Sequence, residues 1–402
     1  MKIIKTVKDF NFKNKKTLLR VDFNVPIDKN HRIIDDTRIQ YSIPTIKKII
    51  SDQGKVILIT HFGRPKGKNL KSLSLNFLVH ILSKKLKTHI KFHDNCIGDE
   101  TEKKVNELKK GEILLLENLR FYKEEEEENE QFAKKLAKLG EFYVNDAFSV
   151  SHRSHTSISL LPKLFNNNKC IGMLMEKEIL FLNKFLSGKG KKPITVLLGG
   201  AKIYSKIKVI ENMINFSDYL IIGGGISYPF IKIKGGKVGN SIIKDDQTID
   251  HRLIHSILSK DNRNIIHFPN DVIIADSFNN SANTKICNIY SIPDKWIGLD
   301  IGPNSIKHFC HIIKKSKTIL WNGPMGVFEF KKFSTGTKSI AKAIAKSTTE
   351  NESFSLVGGG DSIAALKTEG YDKKISYLST GGGAMLEYLK NKSSIGIQSI
   401  IM

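Results

Sequence analysis

Five times in the second half of the chain, a short apolar run stops at glycine or at Asn-Gly. Ile194 to Leu198 precedes Gly199-Gly200, Tyr219 to Ile222 precedes Gly223-Gly224-Gly225, and Thr318 to Leu320 precedes Trp321-Asn322-Gly323-Pro324. Ser353 to Val357 precedes Gly358-Gly359-Gly360-Asp361-Ser362, and Ile375 to Leu378 runs on to Gly381-Gly382-Gly383-Ala384. Runs this short and this apolar read as strands buried on both faces, the habit of a parallel sheet. Glycine follows where backbone must turn sharply or come close to a ligand. The spacing is not that of a solenoid repeat, so the pattern predicts successive βα units of a doubly wound α/β sheet.

The first half repeats the pattern with charge in place of glycine. Thr17 to Val21 ends in Arg20-Val21-Asp22-Phe23-Asn24-Val25-Pro26, and Val56 to Thr60 delivers His61-Phe62-Gly63-Arg64-Pro65. Glu112 to Glu117 ends in Glu117-Asn118-Leu119-Arg120-Phe121, and Phe142 to Val144 leads to Asn145-Asp146-Ala147-Phe148-Ser149-Val150-Ser151-His152-Arg153. Ligands in open α/β sheets sit beyond the carboxyl ends of the strands, so Arg20, Arg64, Arg120 and Arg153 are expected to form one anion site. Between these strands, Asp36-Thr37-Arg38 opens a helix in which Pro44 predicts a break, and Leu73 to Leu86 reads as one amphipathic helix. The run Glu124 to Glu128 reads as a solvated helix start.

At 402 residues the chain exceeds the roughly 250–300 at which a single core stops growing, so two domains are expected. Met175, Ile179, Leu182 and Leu186 lie at helical spacing and are followed by Ser187-Gly188-Lys189-Gly190-Lys191-Lys192-Pro193, a reasonable boundary. Four scattered cysteines without a C-x-x-C pair suggest neither a disulfide framework nor a zinc site. No apolar run approaches the roughly 18 residues that would cross a bilayer, and Met1-Lys2-Ile3-Ile4-Lys5 lacks a signal-peptide core, so a cytoplasmic protein is expected. The net charge of +24 raises nucleic acid as a partner, but the lysines are spread along the whole chain and aromatics make up only 8%.

Lys202 and Lys206, four apart after Gly199-Gly200, are expected on one face of a helix start, where unpaired N–H groups already favour an anion. With Asp361 as the carboxylate, the glycine-rich half suits a nucleotide with Mg²⁺, and the arginine-rich half suits a small multiply charged anion. Phosphoryl transfer between two such sites follows, because it needs alignment and charge compensation and no covalent nucleophile. No P-loop, G-x-G-x-x-G, H-E-x-x-H or G-x-S-x-G pattern is present.

These motifs, in this order and over nearly the full length, resemble the phosphoglycerate kinase family. Leu174-Met175-Glu176-Lys177-Glu178 and Leu299-Asp300-Ile301-Gly302-Pro303 add to the match. The resemblance implies two Rossmann-like lobes with mostly parallel doubly wound sheets, joined by a hinge helix that lets them close. A glycerate-binding domain at 1–172 would be followed by the hinge helix at 173–188 and a nucleotide-binding domain at 189–387, with the tail 388–402 packing back on the first. It implies reversible transfer from 1,3-bisphosphoglycerate to MgADP, giving 3-phosphoglycerate and MgATP, by a monomer acting on small molecules and not on nucleic acid or membrane. By the same resemblance Asp22, Phe23, Asn24, Arg38, His61, Phe62, Gly63, Arg64, Arg120 and Arg153 would hold the glycerate substrate. Lys206, Gly223, Gly224, Gly298, Asn322, Glu329, Gly359, Gly360, Asp361 and Ser362 would hold the nucleotide, with Glu329 on the ribose and Asp361 at the metal. Gly225 and Leu299 would help line the adenine pocket. Arg38, Lys202 and the amides of Gly381, Gly382 and Gly383 would stabilise the moving phosphoryl group. Ser149-Val150-Ser151, Tyr204-Ser205 and Ser393-Ser394 depart from the family's usual residues.

Overall fold

The computed structural model describes residues 4–30, 32–186, 190–241 and 251–401, so residues 187–189 of the expected boundary lie outside the described residues. The chain divides into two units, 1–180 with 393–402, and 181–392. Helix Met173–Leu186 carries the chain from one to the other.

In the first unit six strands, β1 (Lys16–Arg20), β2 (Lys55–Ile59), β3 (Ile90–His93), β4 (Ile113–Leu116), β5 (Phe142–Asn145) and β6 (Lys169–Ile171), form one sheet in the order β3-β4-β2-β1-β5-β6. Every neighbouring pair is parallel. Leu18, Leu19, Val56, Ile57, Leu58, Ile113, Leu115 and Val144 are buried, which is why the strands read as unbroken apolar runs. Each such aliphatic side chain contributes roughly 1.5–3 kcal/mol on leaving water. Because all strands point one way, the segments after β1, β2, β4 and β5 emerge at a single edge.

Three segments differ from what local pattern predicts. Helix Thr37–Ser51 runs through Pro44 without a break. Pro44 faces solvent, so water can reach the carbonyl that loses its N–H donor, while Ile39, Thr45, Ile46 and Ile49 hold the opposite face in the core. The expected helix from Leu73 starts only at Leu78, after 3-10 turns Lys71–Leu73 and Leu75–Phe77; the Ser74 hydroxyl accepts the Asn76 N–H there and donates to Glu117. The glutamate run makes a 3-10 turn, Lys123–Glu125, and Glu125 is wholly buried; the next helix, Glu130–Ala137, is capped by Asn129.

The second unit has a second all-parallel sheet. The strands of this unit are β7 (Ile194–Leu198), β8 (Tyr219–Ile222), β9 (Lys237–Val238), β10 (Ile266–His267), β11 (Asp271–Ala275), β12 (Thr284–Asn288), β13 (Ser291–Ile292), β14 (Ile297–Ile301), β15 (Thr318–Asn322), β16 (Phe354–Gly358) and β17 (Tyr377–Leu378). The main sheet runs β10-β8-β7-β15-β16-β17, with an antiparallel β12-β11-β14 sheet and a small β13-β9 pair beside it. From β7 the chain winds outward through β8, and from β15 it winds the other way through β16. The crevice at that reversal is where open α/β sheets bind ligands. Asn322 lies level with Leu198 and Gly358, so the turns after β7, β15 and β16 reach it together.

The chain end belongs to the first unit. Gly396 N–H donates to the Ser151 carbonyl at 2.7 Å, the Lys169 ammonium donates to the Ser399 carbonyl at 2.9 Å, and the Ser394 and Ser151 hydroxyls meet at 3.2 Å. The two serine departures thus pair with each other.

Candidate functional site

At the carboxyl edge of the first sheet, Asp22 accepts from Arg38 Nη1 at 2.8 Å and from the Asn24 N–H at 3.0 Å. The Ser149 hydroxyl also donates to Asp22. Asn24 receives the Gly63 N–H on Oδ1 and Arg38 Nη1 on its carbonyl, so the segments after β1 and β2 are tied together. Phe23 and Phe62 sit in the apolar core, and Phe62 packs on Phe77. Their side chains are structural, leaving only backbone for a ligand.

Arginine availability divides sharply. Arg64 is exposed and Arg153 half-buried, whereas Arg120 is buried, donating from Nη1 to the Gly63 carbonyl at 2.8 Å with its Nε 3.2 Å from Glu126. Its Nη2 is buried and has no hydrogen-bond partner among the described residues. Burial lowers the Arg120 pKa, and the charges of Arg153 and Arg20 add to that against Glu126. Arg20 does not join the others as an open anion donor: it is wholly buried, donating to the Ser157 hydroxyl at 2.9 Å and facing His61 Nδ1 at 3.2 Å. Burial, then Arg20 and Arg120, hold His61 well below the ordinary imidazole range. His155 is pushed to about 3, again by burial first.

In the second unit the two lysines do not share a helix face. Lys202 precedes a 3-10 turn, Ile203–Ser205, and is exposed; Lys206 caps helix Ile207–Met213 and is buried. Two glycines followed by a single tight turn, instead of a helix, rotate the pair apart. Lys206 Nζ donates to the carbonyls of Gly199 and Asn322, and burial lowers its pKa to about 8 against the pull of Asp361. Tyr204, between them, is exposed.

Next to Lys206, the Asn322 amide donates to the Gly358 carbonyl at 3.0 Å, and the Ser362 hydroxyl accepts the Gly323 N–H at 2.7 Å. Ser362 is wholly buried and its side chain holds the turn, while Asp361 stands exposed in the first turn of helix Gly360–Thr368, after Gly359. Gly381 caps helix Gly382–Asn391, whose first-turn N–H groups, including those of Gly382 and Gly383, have no intrahelical acceptor.

A cavity of about 230 Å³ opens at the same edge, lined by Gly224, Gly225, Gly298, Leu299, Glu329 and Asp361 among others. Gly223 lies outside the lining, packed against Met325. Asp300 and Tyr228 also line it, and the sequence reading assigned neither. Burial raises Asp300 to about 7 although Gly336 and Ile301 N–H groups donate to it. Its signal in the sequence is the Leu299-Asp300-Ile301-Gly302-Pro303 stretch that matches the family.

Among the described residues no group of three or more His, Cys, Asp or Glu could hold a metal by itself. One exposed carboxylate, Asp361, close enough to a buried lysine to affect its titration, suits Mg²⁺ that keeps water and phosphate oxygens as its other ligands.

The phosphoglycerate kinase family model matches residues 7–392. A phosphoglycerate kinase of Porphyromonas gingivalis is 44% identical over 419 residues, covering 98% of this chain and 99% of its own. A cytosolic phosphoglycerate kinase of Triticum aestivum is 45% identical over 396 residues, covering 98% and 97%. The solved structure of phosphoglycerate kinase from Coxiella burnetii superposes with a TM-score of 0.85 at 33% identity, covering 99% of each chain. With these matches over nearly its whole length, the chain belongs to the phosphoglycerate kinase family and is an ATP-using phosphotransferase of glycolysis.

Proposed function

We propose that the first unit holds the glycerate substrate through Asp22, Asn24, Arg38, His61, Arg64, Arg120, Arg153 and the backbone of Phe23, Phe62 and Gly63. The observation that carries this is Arg120 Nη2, a buried guanidinium nitrogen with no hydrogen-bond partner among the described residues and near the like charges of Arg153 and Arg20. An anion there supplies the missing acceptor and offsets the mutual repulsion of the arginines. The second unit takes the nucleotide: Lys206 and the turns after β7, β15 and β16 for the phosphates, Glu329 for the ribose, Gly224, Gly225, Gly298 and Leu299 around the base. Gly223 sets the packing behind that pocket. Asp361 holds Mg²⁺, which offsets the charge of the nucleotide phosphates when bound. Arg38, Lys202 and the amides of Gly381, Gly382 and Gly383, the first of which rests at 3.4 Å on the Ser379 hydroxyl, act on the moving phosphoryl group, where fixed donors lower the barrier by meeting charge as it spreads over the oxygens.

The chain acts as a cytoplasmic monomer: the relative from Triticum aestivum is named cytosolic, and the small-molecule sites need no second copy.

A coupled assay for 1,3-bisphosphoglycerate formation from ATP and 3-phosphoglycerate tests the whole reading. Within it, Arg64→Ala is expected to raise the KM for 3-phosphoglycerate roughly tenfold, the size of one lost charge-assisted bond, and to leave the Kd for ADP unchanged. Weaker ADP binding would overturn the division of labour.

Lys206 sets a pH dependence. Its charged form binds phosphate, and in the free protein that form is lost as pH rises through about 8. ADP affinity measured by calorimetry should therefore be level below pH 8 and fall about tenfold per unit above it. Lys206→Met should bind weakly with a flat profile, and an equally steep fall in that variant would remove Lys206 from the phosphates.

A further inference from the structure

A wholly buried set lies behind the anion-binding edge of the first unit: Arg20, Glu125 and Ser157 are 0% exposed and His61 is 2% exposed. The contacts run in one direction. Arg20 Nε–H donates to the Ser157 hydroxyl at 2.9 Å, and that hydroxyl donates to Glu125 Oε1 at 2.6 Å. The Ser157 N–H donates to Glu125 Oε2 at 2.9 Å, and Glu125 Oε1 lies 3.8 Å from Arg20 Nη2. Arg20 is held in one orientation by this arrangement and by its bond to the Val21 carbonyl.

Arg20 Nη2 faces His61 Nδ1 at 3.2 Å. A guanidinium has only donors, so Nδ1 must accept, and the neutral ring then carries its single proton on Nε2. A second proton on Nδ1 would point an N–H at an N–H beside a cation, in keeping with the low His61 pKa that burial and then Arg20 produce. Nε2 is the nitrogen turned to the substrate edge, 3.9 Å from Asp22 Oδ1.

We propose that Arg20, aimed by Glu125 and Ser157, is a positioning residue that fixes His61 in the Nε2–H tautomer and so presents a neutral donor to the glycerate substrate. The inference rests on the reading that His61 holds that substrate. Arg20 itself touches none of it: the effect passes through the imidazole. Without the guanidinium, His61 could place its proton on Nδ1 and offer the substrate a lone pair, which repels an anion. This also explains why one member of an exposed-looking glutamate run is buried: a carboxylate is the partner that holds a buried arginine in place.

The test uses the full-length protein with ¹⁵N-labelled histidine, the His61 signals being assigned by their loss in His61→Gln. Long-range ¹H–¹⁵N spectra of the unmodified protein are expected to show Nε2 protonated and Nδ1 bare, a result that needs no variant to fold. Arg20→Met combined with Glu125→Gln removes both buried charges together and avoids stranding either. It is expected to yield mixed tautomers, to raise the Kd for 3-phosphoglycerate roughly tenfold, and to leave the Kd for ADP unchanged. Nδ1–H in the unmodified protein, or an unchanged tautomer in the paired variant, overturns the positioning role. So does a changed tautomer with 3-phosphoglycerate affinity intact while His61→Gln weakens it. Unchanged affinity in His61→Gln instead overturns the assignment of His61 to the substrate, and the inference with it.

Discussion

Lys202→Ala is expected to lower kcat by ~10²–10³ while the KM values for ATP and 3-phosphoglycerate change by no more than about threefold. The side chain is exposed and stands at the start of the 3-10 turn Ile203–Ser205, while its backbone carbonyl accepts the Ser205 hydroxyl. Truncating it therefore removes a charge without disturbing the core, and stability should hold to within about 0.5 kcal/mol. A group that meets the phosphoryl oxygens only as they leave one substrate for the other contributes to the transition state and little to the ground state. Lys206 is the internal contrast. It is buried against two backbone carbonyls, so its loss should weaken nucleotide binding and lower stability as well. Steady-state kinetics in the direction of 1,3-bisphosphoglycerate formation separates the two, and an unchanged kcat in Lys202→Ala would end its assignment to the moving group.

Gly323→Ala should be the more damaging change to the fold. Gly323 has φ +97°, in the region that L side chains rarely adopt, and a Cβ there would stand within 2.7 Å of the Gly199 carbonyl and of Lys206 Nζ. The backbone strain and the forced shift of neighbouring backbone together cost roughly 3 kcal/mol, which lowers Tm by about 6–12 °C for a unit of this size. The turn cannot relax easily. Its N–H is held by Ser362, its carbonyl accepts from the Trp321 indole at 2.8 Å, and Trp321 is wholly buried. Gly370→Ala is the control, with φ +68° and nothing within 4 Å of its Cβ, so it should cost only the conformational share, about 1 kcal/mol. Equal Tm losses in the two variants would show that the close contact at Gly323 carries no weight. The same substitution should also disturb nucleotide binding, because the turn positions the Lys206 ammonium.

The parallel, doubly wound character of the sheets and the edge at which each motif emerges are legible because they depend on local pattern, whereas the order of strands within each sheet is not. A short apolar run followed by glycine or by a charged cluster is enough to place Gly199-Gly200, Asn322 and Asp361 on one edge, and Asp22, His61 and Arg120 on another. Strand limits differ by a residue or two: the run expected from Ile375 is a strand only over Tyr377–Leu378.

What each charged residue is free to do was settled by tertiary structure. Arg20 ends β1 and Arg64 stands beyond the end of β2, both at the same edge, yet one is sealed among Ser157, Glu125 and His61 and the other lies in solvent. Five consecutive glutamates are equivalent in sequence, and only packing against Arg20 and Ser157 singles out Glu125. Lys202 and Lys206 look like a pair, but a tight turn separates an exposed ammonium from a buried one. Burial and partner choice come from segments far apart in the chain, brought together by the sheet. Local periodicity determines which edge a side chain reaches, and only the packing around that edge decides whether its charge faces a ligand or the protein's own interior.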